Sequence, residues 1–139
     1  YDTIKAVKQA VNIPVIANGD ICSPKQAQFV LKYTAADGIM IGRASQGYPW
    51  IFREVNHYLN TGETRSPATH DEFYQTILQH LLGLHQLYGE QLGVRIARKH
   101  IGWYGQHLPQ GDQLRKQFNP LVSPDAQLNL IKQYFENQL

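Results

Sequence analysis

Cysteine is almost missing from this chain of 139 residues: Cys22 is the only one. That excludes an internal disulfide framework and fits a reducing compartment. No run of about eighteen apolar residues occurs, so no membrane span is expected. A basic start followed by an apolar h-region is also missing; no secretory signal is expected, and the cytoplasm is the expected location. Net charge is scarce, a formal +2, too little by itself to announce a nucleic-acid partner. Acids are absent from one stretch in particular. From Gln91 to Gly111 there is none, while Arg95, Arg98 and Lys99 give three positive charges. The histidines lack metal-ligand spacing: His80 and His85 fall off one helical face, so no metal site is expected. With 42% hydrophobic residues, the chain is long enough for one ordinary domain and core.

What is present begins with Ile13-Pro-Val-Ile-Ala-Asn-Gly-Asp20, answered about one strand–helix unit later by Asp37-Gly-Ile-Met-Ile-Gly-Arg43. Each is a short apolar run ending in glycine beside a polar or charged residue. Such runs read as strands buried on both faces, as in a parallel sheet covered by helices. Terminal glycine lets the backbone turn sharply and approach a ligand.

Helical spacing of Ile4, Ala6, Val7, Ala10 and Val11 precedes the first strand, Ile13 to Ala17. Ser23-Pro24 starts a helix to about Tyr33 that buries Ala27, Val30 and Leu31. A second strand spans Ala35 to Ile41. The order helix, strand, helix, strand implies parallel pairing through a helical crossover. Pro49 opens a helix over Trp50 to about Leu59, stopped near Gly62, and Thr61 to Ala68 reads as a linker. From Asp71 on the pattern is helical throughout. Phe73, Ile77, Leu81, Leu84 and Leu87 or Tyr88 mark one helix, and Val94, Ala97, Ile101, Tyr104 and Leu108 the inner face of a second. Pro109 to Asp112 is expected as a turn, Leu114 to Phe118 as a short helix. Ser123-Pro124 caps a last helix through Leu128, Ile131, Tyr134 and Phe135. Two parallel strands make no stable sheet alone, so the chain is expected to be the tail of a longer protein or to pair with another copy; the tail is favoured.

Two constellations carry chemistry. At the strand ends, backbone N–H groups of Gly19, Gly42 and Arg43, with the Arg43 guanidinium, suit a phosphate, while Asn18 or Asp20 suits hydroxyls or orients the loop. The alternative is that the glycines are turn residues and Arg43 pairs with Asp20 or Glu54. Further on, Arg95, Lys99 and Trp103 fall at i, i+4 and i+8 with Arg98 beside them. That stripe suits a phosphate backbone with an exposed base or ribose; the alternative is a solvated face with Trp103 packed beneath the linker. Cys22, with no base near it in sequence, reads as a small buried filler before it reads as a nucleophile.

The strings Ile13-Pro-Val-Ile-Ala-Asn-Gly-Asp-Ile21, Met40-Ile-Gly-Arg-Ala44, Gly47-Tyr-Pro-Trp-Ile-Phe52 and Arg95-Ile-Ala-Arg-Lys-His100 followed by Trp103-Tyr104 resemble the carboxyl-terminal part of bacterial tRNA-dihydrouridine synthases, the B subfamily most. The likeness covers essentially the whole chain. Its first strings are shared with other flavin barrels; the Arg-x-x-Arg-Lys-His-x-x-Trp-Tyr helix is far more selective. The resemblance implies a carboxyl-terminal portion of an FMN-binding (β/α)8 TIM barrel over residues 1–60. An all-α helical bundle that binds tRNA would follow over residues 61–139. It implies reduction of a D-loop uridine of tRNA to 5,6-dihydrouridine, with FMN as cofactor and NADPH as reductant, by a protein that is monomeric at full length. Carried over, Asn18, Gly19 and Asp20 match the flavin loop, and Gly42 and Arg43 the phosphate contact. Arg95, Arg98, Lys99 and His100, with Trp103, match the tRNA-binding helix. The family's catalytic cysteine has no counterpart here, since Cys22 does not match it, so no catalytic residue is assigned and the chain alone is expected to be inactive. Two other readings stay open: another FMN barrel acting on a small pyrimidine, and a non-catalytic helical RNA-binding module.

Overall fold

The computed structural model describes residues 1–138 and divides into two compact units, Tyr1–Pro67 and Ala68–Leu139. In the first, α1 (Asp2–Ala10) is followed by β1 (Ile16–Asn18), α2 (Pro24–Thr34), β2 (Gly38–Met40), one 3-10 turn (Arg43–Ser45) and α3 (Ile51–Thr61). β1 and β2 run parallel, with Ile16 opposite Gly38, Ala17 opposite Ile39 and Asn18 opposite Met40. The crossover that parallel pairing demands is α2. It starts as the sequence suggests: the Ser23 hydroxyl accepts from the Gln26 N–H, and Pro24 takes the first position, where a missing N–H costs nothing. Gly62, with φ 76°, ends α3 by donating its N–H to the Tyr58 carbonyl.

Ala17, Ile21, Ala27, Val30, Ile41, Ile51 and Val55 form the core of this unit, so α2 and α3 cover one face of the strand pair. Within this chain the expected burial on both faces is met on one face only. Each strand is three residues long. Alternation sends Ala17 inward at 0% exposure while Ile16 stays 58% and Met40 50% exposed on the other face. Leu31 is only half-buried; the last inward position of α2 belongs to Thr34. Its hydroxyl donates to the Val30 carbonyl (2.7 Å) and accepts from the Ala36 N–H (3.2 Å), which makes burial of a polar group affordable. Asp37 ties the amino ends together, accepting from Lys8 Nζ at 2.6 Å and the Val15 N–H at 2.7 Å. Those two bonds, Lys8 first, hold its carboxyl below the usual carboxylate value.

The second unit contains α4 (His70–Gly105), α5 (Gly111–Phe118) and α6 (Pro124–Glu136). A reciprocal capping box opens α4: Thr69 accepts from the Glu72 N–H and Glu72 accepts from the Thr69 N–H. Gly89, at φ 78° and ψ 174°, breaks α4 into arms 70–88 and 90–105. The arms fold back on each other, bringing the His80 and His100 rings to 4.4 Å. Gly93 lies so close to the first arm that a Cβ there would sit 2.6 Å from the Leu84 carbonyl oxygen. The apolar rows expected for two helices meet in the core with Leu114, Phe118, Ile131 and Phe135. Leu87 and Tyr88 do not join them; beside the bend they are 75% and 45% exposed.

Two further departures have physical causes. α5 begins at Gly111, earlier than the apolar pattern suggests, because the Gly105 and Gly111 backbones cross: a Cβ on Gly111 would meet the Gly105 carbonyl oxygen at 1.7 Å. Gln127 is fully buried and satisfied. Its amide nitrogen donates to the Val94 carbonyl at 3.0 Å, and its oxygen faces His85 Nε2 at 2.8 Å, so that nitrogen carries the imidazole proton.

Candidate functional site

Because β1 and β2 are parallel and in register at Asn18 and Met40, their carboxyl ends open side by side. A cavity of about 320 Å³ lies there, lined by Asn18, Gly19, Asp20, Cys22, Gly42 and Arg43 among others. The Arg43 guanidinium donates to the Asp20 carboxylate; both side chains are largely exposed, so the pair contributes little stability and is easily rearranged. Glu54 takes the Tyr48 hydroxyl instead (2.7 Å). Asp20 sits in the left-handed region (φ 48°), and the Tyr1 hydroxyl, donating to the Gly19 carbonyl, braces the loop from behind. At Gly42 a Cβ would meet nothing within 4 Å, so the backbone borders open space. Cys22 is exposed rather than buried as expected, its thiol donating to the Asp20 carbonyl at 3.2 Å.

In the second unit Arg95 and Lys99 are exposed one turn apart on the 90–105 arm. Arg98 is half-buried, its Nη2 donating to the Leu121 carbonyl at 3.1 Å, in the connection between α5 and α6. The Trp103 ring stands nearly perpendicular (84°) to His100 at 5.1 Å. His100 in turn packs on His80, whose Nδ1 lies 3.0 Å from the Tyr104 hydroxyl. Burial pushes the Tyr104 hydroxyl up to about 12, so it keeps its proton beside His80 Nδ1. Burial likewise lowers His80 and, with the neighbouring His80, His100. His100 is therefore neutral at pH 7 and brings an N–H donor to the stripe rather than a charge.

Arg98, Lys99, Gly102 and Trp103 line one side of a groove of about 780 Å³, with Gln106 at its edge and Asp112, Arg115 and Asn119 opposite. Among the described residues no group of three His, Cys, Asp or Glu side chains is arranged to hold a metal ion, and no helix is long and apolar enough to cross a membrane.

With this geometry in view, comparison with known proteins is informative. The family model described as "Dihydrouridine synthase (Dus)" matches residues 1–139. The chain belongs to the dihydrouridine synthase family. It is 53% identical over 137 residues to tRNA-dihydrouridine synthase B of Pectobacterium carotovorum, covering 99% of this chain and 43% of that protein. Against the protein of the same name from Pseudomonas aeruginosa it is 54% identical over 135 residues, covering 97% of this chain and 41% of that one. For Shewanella oneidensis the figures are 55% over 138 residues, with 98% and 42% covered. The chain thus spans about two fifths of the length of these relatives.

In this chain the strand-end residues Asn18, Gly19, Asp20, Gly42 and Arg43 share one cavity. Arg98, Lys99 and Trp103 share another, while Arg95 lies further along the same arm and His100 turns toward His80. Sequence reasoning missed Gln106, Arg115 and Asn119. Only the Gly105–Gly111 crossing brings α5 beside the 90–105 arm, and no periodicity along one helix reports a contact with another.

Proposed function

We propose that this chain contributes the phosphate end of a flavin site and the tRNA-docking helices of an FMN-dependent tRNA-dihydrouridine synthase. That enzyme would reduce a D-loop uridine of tRNA to 5,6-dihydrouridine with NADPH as reductant. On this reading β1 and β2 are the last two strands of a (β/α)8 barrel over residues 1–60, and residues 61–139 form the tRNA-binding domain of a cytoplasmic protein. Family membership supports the reaction class. The single observation that carries the flavin part is the pair of parallel strand ends that bring Gly42 and Arg43 beside Asn18 and Asp20 around one cavity.

The donor set fits FMN. Arg43 supplies a cation for the phosphate, and Gly42, with open space where a side chain would stand, lets backbone come close. Asn18 and Asp20 offer an amide and a carboxylate to hydroxyl groups, and the exposed Asp20–Arg43 pair is weak enough to give way to a stronger anion. Bound flavin would supply the hydride. The protein's part in this chain is orientation: Tyr1 and the α2 start hold the 18–20 loop, and the turn at Arg43–Ser45 fixes the second. Arg95, Lys99 and Arg98 would hold the RNA backbone, with His100 and Trp103 beside them. Catalysis rests on groups other than those named, so the 139-residue chain alone is inactive.

The test is flavin retention by the synthase carrying these residues at the length of its relatives. Arg43→Ala is expected to purify with less FMN and to lose FMN at lower dilution, while riboflavin, which lacks the phosphate, binds parent and variant alike. Equal FMN retention by the variant would remove the phosphate assignment.

A further inference from the structure

We infer that the groove between the 90–105 arm and α5 is a subsite for a single ribonucleotide of the RNA, the base against Trp103 and the phosphate among Arg98, Lys99 and Arg115. This rests on the reading of the second unit as RNA-docking. The groove sets three cations against one carboxylate, Asp112, which lies 3.9 Å from Arg115. Cations drawn from two helices around an aromatic wall suit an unstacked nucleotide, because phosphate and base are then held by separate groups. Arg98 is pinned by the Leu121 carbonyl, so its planar fork is ordered before any ligand arrives. Gln106 and Asn119 add amides that can both donate to and accept from a base edge. An acidic peptide would use the cations but has no call on Trp103 or the amides.

Gly102 forms part of the wall, and a Cβ there would touch only Arg115 Cδ, at 3.4 Å. Gly102→Leu therefore fills the groove without changing a charge, which separates binding in the groove from general attraction to a basic face. Arg115 is exposed, so Arg115→Gln offers a second variant that keeps the fold. The 139-residue chain is titrated with uridine 5′-monophosphate, inorganic phosphate and an acidic peptide, following side-chain resonances, and tRNA affinity is measured across salt concentrations. The nucleotide is expected to shift the Trp103 indole and the Gln106 and Asn119 amides, which phosphate and peptide leave in place. Gly102→Leu should weaken tRNA binding by about tenfold with an unchanged salt slope, and Arg115→Gln should reduce that slope by about one unit. Wild-type tRNA affinity in Gly102→Leu, a silent Trp103, or an equal response to the peptide would each overturn the subsite. None of these results bears on flavin retention by the longer synthase, so the functional reading fails or stands separately.

Discussion

Two glycine-to-alanine changes in the same hairpin should move stability in opposite directions. Gly83 lies on the exposed side of the first arm, and an added Cβ would find nothing within 4 Å. Alanine there gains only helix propensity, about 1 kcal/mol. Gly93, on the second arm, faces backbone: Leu84 O at 2.6 Å and His85 Cα at 2.9 Å from the added carbon. Carbon–oxygen contacts settle at about 3.3 Å, so the arms must separate by roughly 0.7 Å against a packed core. Overpacking of that kind costs about 3 kcal/mol at the upper end, and the propensity gain of about 1 kcal/mol leaves a net loss of about 2 kcal/mol. The variants should then differ by about 3 kcal/mol, roughly 1.5 M in the urea midpoint for a typical slope. Urea unfolding followed by far-ultraviolet circular dichroism reads this directly. Coincident midpoints, or a Gly93→Ala midpoint above that of the parent, would refute the close approach of the two arms.

Other expectations concern the same unit. Gln127→Leu should destabilise by about 1–3 kcal/mol, since it strands the His85 N–H and removes the donor from the Val94 carbonyl; a neutral outcome in thermal melts would mean the network is dispensable. Thr69→Ala should cost about 1 kcal/mol through loss of the cap, and hydrogen exchange should place the fraying in the first turn of α4. His80 and His100 both titrate below their ordinary value of 6.5 when folded, so the unfolded chain binds more protons in acid. Their contribution is present above about pH 6.5 and is lost as pH falls through the lowered folded values. The midpoint of thermal unfolding should drop over that window, and His80→Gln with His100→Gln should flatten the drop; an unchanged slope would assign it to other groups.

Local chemistry was legible where one segment determines its own shape. The Ser23-Pro24 start, the Gly62 stop and the apolar rows from Phe73 to Leu84 and from Val94 to Leu108 need only nearest-neighbour geometry. Strand burial is legible only in part, because an all-apolar run such as Ile13 to Ala17 does not say which elements cover each face, and within this chain Ile16 is open. Gln127 escaped notice because its burial depends on an imidazole 42 positions away in sequence. Cys22 looked like filler, yet the turn after β1 points it outward. At the candidate sites, residue types and spacing suggested Arg43, Lys99 and Trp103, and offered Asp20 as a partner for Arg43, but not that His100 packs edge-on against His80 or that Arg115 lines the same groove as Lys99.

The hydrogen bond from Arg98 to the Leu121 carbonyl makes one guanidinium both a strut and a member of the cationic stripe. Charge-removal experiments at this residue will therefore mix two losses: a loosened joint between the second arm and the segment before α6, and one fewer contact for a polyanion. Arg95 and Lys99, exposed and without such an anchor among the described residues, report electrostatics cleanly. Neutralising all three together would overstate how much of any polyanion binding is charge.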